Sequence, residues 1–283
     1  MAELINSITL LNTTYQNRSD ILDVDLVYTP WQNNDMSSAF VNCTNLTDVF
    51  NINQNVTNMA NAFNGCSNLV NAPVMPDGIT DINNTFQNCT SLRNVTTLPN
   101  SVTNVAATFA YCSSLVNAPV IHNGITDMDS TFWECTRLAN IAEIPNSVIS
   151  LNYTFYGCYN LVNAPEIPNS VTFMSSTFSN CVNLTGDIYI QSENITNAIN
   201  CFKNTTLNKD VYIPVQNNGV NTATYNAFKE AGYSRSTRVN GVLLKDLNYD
   251  PLIDYEYTKN ETNDVLLTKY IGYELHVVVP TVE

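Results

Sequence analysis

Thr85-Phe86-Gln87-Asn88-Cys89-Thr90-Ser91-Leu92 is the stretch that decides the fold, because it is copied up and down the chain at a fixed interval. Phe stands at 40, 63, 86, 109, 132, 155 and 178, every step being 23 residues. Cys follows three residues later at 43, 66, 89, 112, 135, 158 and 181, and Leu three later again at 46, 69, 92, 115, 138, 161 and 184. Seven copies of F-x-x-C-x-x-L in one register are the mark of a solenoid, in which each unit buries its apolar face only by stacking on the next. The ladders Phe40 to Phe178 and Cys43 to Cys181 are therefore expected to be continuous and buried.

Within one coil, from Phe86 to Phe109, the i, i+3, i+6 spacing of Phe86, Cys89 and Leu92 suits a helical or 3₁₀ turn leading into a strand. Val95 and Leu98 continue the inward set, Pro99-Asn100-Ser101 supplies turn chemistry, and Val102 and Val105 form a second inward pair. Two columns are not apolar. Asn71, Asn94, Asn117, Asn140 and Asn163 read as a ladder satisfying backbone groups at a bend, with an exposed ligand stripe as the alternative. Val74, Thr97, Val120, Glu143, Glu166 and Tyr189 change in size and charge from coil to coil against a fixed background. Variation of that kind marks the outer face of a strand, so these six are the candidate partner-binding or receptor-binding residues. Pro73, Pro119 and Pro165 recur at 46-residue intervals and indicate duplication of a two-coil unit.

The chain has 283 residues and a formal net charge of -14, from 11 Lys+Arg against 25 Asp+Glu. That sign repels phosphate and argues against nucleic acid and anionic membranes as partners. No apolar run reaches the length of a membrane span, so no membrane insertion is expected. Residues 1–6 have no basic n-region and Ile8-Thr9-Leu10-Leu11 is short for a secretory core. Of the eight cysteines, seven share one column and Cys201 lies where the repeat degenerates. They read as buried free thiols, with disulfides between neighbours or a metal site as the alternatives; two His and no CxxC make zinc a poor fit.

The organisation read from these features has four parts. Residues 1–39 are an N-terminal cap or diverged repeat, in which Tyr15, Ile21 and Val24 echo a coil and Trp31 plugs the end of the core. Residues 40–184 are the repeats, with Phe40 expected to have a neighbour on one side only. Residues 185–250 are a C-terminal cap, holding the strand Val211-Tyr212-Ile213 and a short helix around 224–233. In 251–283, Tyr255-Glu256-Tyr257-Thr258 and Val265 to Tyr270 read as a β-hairpin and Val277-Val278-Val279 as one more strand.

No catalytic constellation is visible, and no enzyme activity, cofactor or metal is expected. His122 takes the turn slot held by Pro99 and Pro145. Cys112 shares its surroundings with six siblings, unlike a nucleophile with a private base. Asp246, Asp250, Asp254 and Glu256 read as a solvated acidic turn, with Ca²⁺ as the alternative.

The coil resembles the BspA-like leucine-rich repeat, C-x-x-L-x-x-I-x-I-P-x-S-V-T-x-I-x-x-x-A-F, through Cys89, Leu92, Val95, Pro99, Ser101, Val102, Thr103, Val105 and Phe109. The I-P element falls one residue later here. The resemblance, covering 40–184, implies an α/β repeat solenoid, a right-handed leucine-rich-repeat superhelix of 23-residue coils with a parallel sheet, used in adhesion to proteins or cell surfaces. The segment 211–233 is similar to the one lying C-terminal to such repeats in bacteriophage tail proteins. Three function classes are compatible with this resemblance. The first is a tail or baseplate component of a virion, part of a larger assembly, whose partners are other virion proteins or a host-surface protein or glycan. The second is a bacterial surface adhesin whose export signal is missing, and the third an intracellular interaction scaffold.

Overall fold

The computed structural model describes residues 15–26, 31–95, 97–141, 143–205, 210–212, 223, 224, 227, 238, 239, 242, 243, 255–259 and 265–270. Successive coils lie side by side in parallel, joined by short pairings rather than long strands. β1 (Asp23–Asp25) pairs parallel with β2 (Asp48–Phe50). Single parallel bridges then carry the ladder on, among them Asn58 to Asp81, Asn71 to Asn94, Asn104 to Asp127 and Ser150 to Phe173. At the far end β3 (Ile188–Tyr189), β4 (Asp210–Tyr212) and β5 (Arg238–Val239) pair in parallel and β6 (Val242–Leu243) closes that sheet antiparallel.

The F-x-x-C-x-x-L segment is not the helical turn that its spacing suggests. Its backbone N–H groups alternate in direction. Those of Asn84, Phe86 and Asn88 donate to Ala106, Thr108 and Ala110 of the next coil, at 2.9–3.1 Å. Those of Thr85, Gln87 and Cys89 donate to the carbonyl three residues back in their own coil. The result is a chain of turns in which every second donor ties two coils together. Such a path needs left-handed backbone at two places, two residues before and two after the Phe. Asn84 and Asn88 sit there at φ 56° and 60°, Asn61 and Gly65 at 58° and 79° in the coil before. Asn and Gly reach this region at least cost, which explains the Asn or Gly that so often precedes the ladder Cys. The i, i+3, i+6 spacing is common to helices and to chained turns, so the spacing alone could not separate them.

The core is one stack. Rings of Phe40, Phe63, Phe86, Phe109, Phe132, Phe155, Phe178 and Phe202 lie face to face with centroids 5.4–5.8 Å apart. Below Phe40 the stack continues onto Tyr15, at 5.0 Å and 2° between planes, while Trp31 meets Phe40 edge-on. Phe40 is thus packed on both faces, which corrects the expectation of a single neighbour; Tyr15, 25 residues upstream, fills the slot out of register. The register also shifts after Leu184, by one residue, and Phe202 nonetheless joins the stack, with Cys201 in the place that Thr177 holds one coil earlier.

Two polar ladders run inside this core. Thr85, Thr108, Thr131, Thr154 and Thr177 are fully buried, and each Oγ1 donates to a carbonyl of the preceding coil, from Met59 to Leu151, at 2.8–3.1 Å. All eight cysteines are buried free thiols. The Cys112 thiol donates to the Phe86 carbonyl at 3.1 Å, and that oxygen also accepts the N–H of Cys89. The same pair of bonds recurs in the coils above and below, so both lone pairs of each Phe carbonyl are used in a dry interior.

An acidic ladder is spaced with equal economy. Asp35, Asn58, Asp81, Asn104 and Asp127 follow one another in five coils, and each side chain accepts the N–H two residues on, as Asn104 Oδ1 does from Ala106 at 2.8 Å. The alternation puts an amide between every two carboxylates, with coils roughly 5 Å apart. Asn104→Asp keeps the turn acceptor but inserts a charge between Asp81 and Asp127, and removes the bond from Asn104 Nδ2 to Asp127 Oδ2. Burial already holds the Asp127 carboxyl above its ordinary value. The substitution should cost about 1–3 kcal/mol at pH 7. Repulsion raises the folded-state pKa of these carboxyls, so the penalty should shrink as pH falls toward 4. Urea titrations at pH 7 and pH 4.5 test this, and a penalty of equal size at both would refute the electrostatic account.

Near the C-terminus Thr224 is buried against the coils. Its Oγ1 donates to Ser192 O at 2.5 Å and accepts the N–H of Ile195 at 3.0 Å. β7 (Tyr255–Lys259) and β8 (Val265–Tyr270) form the expected antiparallel hairpin. The strand read at 277–279 and the acidic positions Asp246, Asp250 and Asp254 lie outside the described residues.

Candidate functional site

The variable column is solvent-facing along its length. Val74 and Val120 are 73% and 63% exposed, Tyr189 is 50% exposed, and Thr97, Glu143 and Glu166 are exposed as well. Their neighbours point the other way, with Met75, Leu98, Ile121, Ile144, Ile167 and Ile190 buried. This alternation is the strand rule at work: one residue of each pair fills the core and the other faces solvent.

The column acquires shape near its C-terminal end. Glu143, Ile144, Asn146, Glu166, Pro168 and Gln191 line an open groove of about 410 Å³. Pro145 and Pro168 stand at equivalent turns and have no N–H with which to bridge the coils there. Ile167 and Ile190 pair just beyond, through bonds from Ile167 to Tyr189 and from Gln191 to Ile167, both at 2.8 Å. Gln191 Nε2 donates to Glu166 Oε1 at 2.6 Å and orients that carboxylate. Among the described residues the only salt bridge is Arg18 with Asp20, at the other end of the chain, so no described cation neutralises Glu143 or Glu166. The groove can therefore accept hydrogen bonds from a cationic or N–H-bearing group.

The six column residues form one surface, but its pocket unites only two of them, Glu143 and Glu166. Tyr212 and Gln191 were missed. Tyr212 is 37% exposed and stacks on Tyr189 at 4.9 Å with planes 7° apart. One more 23-residue step from Tyr189 would have found it. Gln191 carries no signal, because its partner is fixed by the fold.

The other sequence candidates behave as structure. The Asn column is exposed, which corrects the reading that it serves backbone groups. Asn94 Nδ2 donates to Asn71 Oδ1 and Asn140 Nδ2 to Asn117 Oδ1, both at 2.8 Å, so these side chains clasp one another in pairs. His122 lies in its turn with Nε2 2.9 Å from Pro99 O and Nδ1 2.9 Å from Asn123 O. Trp31 is buried at the end of the core, as its position after Pro30 suggests.

Comparison with known proteins points in one direction. The family model described as the BspA type leucine rich repeat region matches residues 36–130 and 107–233, with six copies. Among solved structures, a leucine-rich repeat protein from Bacteroides ovatus is 24% identical, with a TM-score of 0.53 over 73% of this chain and 59% of that one. A T. pallidum leucine rich repeat protein is 28% identical over 58% of this chain and 72% of its own, with a TM-score of 0.46. A leucine rich cell surface protein from Faecalibacterium prausnitzii is 19% identical over 78% and 79%, with a TM-score of 0.31. The chain thus spans 59% of the length of the Bacteroides protein. No curated protein matches in sequence.

Proposed function

Because the chain belongs to the BspA-type leucine-rich-repeat family, we propose that it is a non-enzymatic recognition protein that holds a partner on the outer face of its coils. The observation that carries this reading is the variable, exposed column ending in a groove whose two carboxylates meet no described cation. A partner seated there presents a Lys or Arg side chain to Glu143 and Glu166 and an apolar group to the Tyr189–Tyr212 step, the kind of aromatic anchor on which binding energy concentrates.

The setting we propose is a phage virion, tail or baseplate, with a bacterial cell surface as the rival. Similarity of 211–233 to the segment C-terminal to such repeats in phage tail proteins supports the first. In that setting residues 185–250 act as the cap and the β7–β8 hairpin as the docking element for a neighbouring subunit, by strand pairing. Mass spectrometry of purified particles from a lysed culture decides between the settings.

The binding face has its own test. The triple variant Glu143→Gln, Glu166→Gln, Tyr189→Ala changes only exposed side chains, and should leave the melting temperature within a few degrees of the parent. Binding of the labelled protein to host cells, measured by flow cytometry, should fall at least tenfold. Undiminished binding by a folded triple variant would reduce this face to scaffold.

A further inference from the structure

Coils five and six, and the edge of coil four, carry something the other coils lack. Tyr111 stacks on Trp133 at 5.8 Å, Trp133 stacks on Tyr153 at 5.6 Å, and Tyr156 meets Trp133 edge-on at 5.5 Å. Tyr111, Tyr153 and Tyr159 are exposed and Trp133 and Tyr156 half-buried, so the group lies on the surface rather than in the core. It occupies the turn segment around the ladder Phe, separate from the groove column.

Three of its side chains stand where the backbone is left-handed: Tyr111 at φ 63°, Glu134 at 56° and Tyr153 at 57°. Other coils place Asn, Gly, Ser or Ala at these two positions, as in Asn84, Asn88, Ser130 and Asn180. A bulky residue held there costs roughly 1–2 kcal/mol, and such outliers cluster at ligand sites. A further detail is built around Glu134. A Cβ at Gly157 would stand 2.6 Å from its carboxyl carbon, so the glycine clears the space over which that carboxylate lies. Burial holds the Glu134 carboxyl above its ordinary value.

We infer that this aromatic ledge is a saccharide-binding site, taking a neutral sugar through ring faces, the Glu134 carboxylate and flanking amides and hydroxyls. At the register positions beyond the two ends of the ring column stand Asn88, an exposed amide, and Ser176, which is buried. Among the described residues Tyr111 meets only the Trp133 ring, while Tyr153 is met by Trp133 and, tilted by 45°, by Tyr156 at 6.2 Å. A pyranose has an apolar face that fits such a ring and a rim of hydroxyls that fits amides and an oriented carboxylate. The net charge of -14 and the single acid in the ledge favour a neutral sugar over a sulfated or sialylated one. This inference does not rest on the groove reading, since it concerns different residues and a different part of each coil.

The test uses the full chain on an array of neutral and anionic glycans. Hits are then titrated as free oligosaccharides against the emission of Trp133, one of two Trp in the chain. The decisive variant, Tyr111→Asn with Tyr153→Ser, installs residues that neighbouring coils already carry at those positions. It should melt at the same temperature or higher, because strain is relieved, and bind a neutral oligosaccharide at least tenfold more weakly. Glu134→Gln should weaken binding without abolishing the emission change. An array with no hit, a preference for anionic glycans, or unchanged affinity in the double variant would each overturn the proposal. A lower melting temperature of the double variant would equally overturn it, by making the rings a structural column.

Discussion

Phe109→Ala should lower the free energy of unfolding by about 3–5 kcal/mol, read from urea titration with tryptophan emission. The size comes from where the ring sits. Phe86 and Phe132 lie on its two faces at 5.8 Å, and the side chain is fully buried. Removing it leaves a hole that the coils cannot close. Their separation is set by the backbone bonds from Phe86 to Thr108 and from Phe109 to Thr131, which do not depend on the ring. The same change at Phe40 should cost a similar amount, because Tyr15 and Phe63 sandwich it and Trp31 closes one edge. A Phe40→Ala variant losing less than half of what Phe109→Ala loses would mean that the stack effectively ends at Phe40.

A repeat makes some features legible and hides others. A side chain whose surroundings recur in every coil leaves a periodic trace, so the Phe, Cys and Leu ladders, the inward aliphatic pairs and the exposed column could all be read from spacing. The left-handed positions left a trace too, in Asn42, Gly65, Asn88, Gly157 and Asn180 before the ladder Cys. The i, i+3, i+6 spacing drew the reading to a helix because helices are the commoner source of it. Features that belong to one or two coils leave no period. Gln191 reaches Glu166 only because the Ile167–Ile190 bridge brings coils six and seven into register. Tyr111, Trp133 and Tyr153 stand two after, one after and two before their respective Phe residues, so no single column contains them. What singles out a functional coil is departure from the repeat, and departures become a site only when the stacking distance is known.

The thiol ladder carries an expected effect of comparable size. Burial is the leading cause that raises the pKa of every one of the eight cysteines, with Cys181 pushed up to about 12 and the Cys112 and Cys158 thiols far above their ordinary value near 9. In the folded chain they stay protonated, Cys43 donating to the Tyr15 carbonyl and Cys66 through Cys181 to the Phe carbonyls, while in the unfolded chain they ionise as ordinary thiols. A folded pKa above the unfolded one means that the unfolded state sheds protons first as pH rises. The stability is therefore complete below the unfolded pKa and is lost above it. Summed over eight thiols, the loss should be about 0.5 kcal/mol at pH 8 and about 3 kcal/mol at pH 9, growing steeply beyond. Urea titrations under reductant at pH 7, 8 and 9 measure this directly. A companion experiment counts thiols: none should react rapidly with a disulfide reagent in the native protein, and eight should react once it is unfolded at pH 8. Stability that stays flat to pH 9, or several thiols that react in the folded state, would place the cysteine column outside the dry core. Loss of stability with the predicted steepness would instead show that the same buried column which holds the coils together also sets the alkaline limit of the fold.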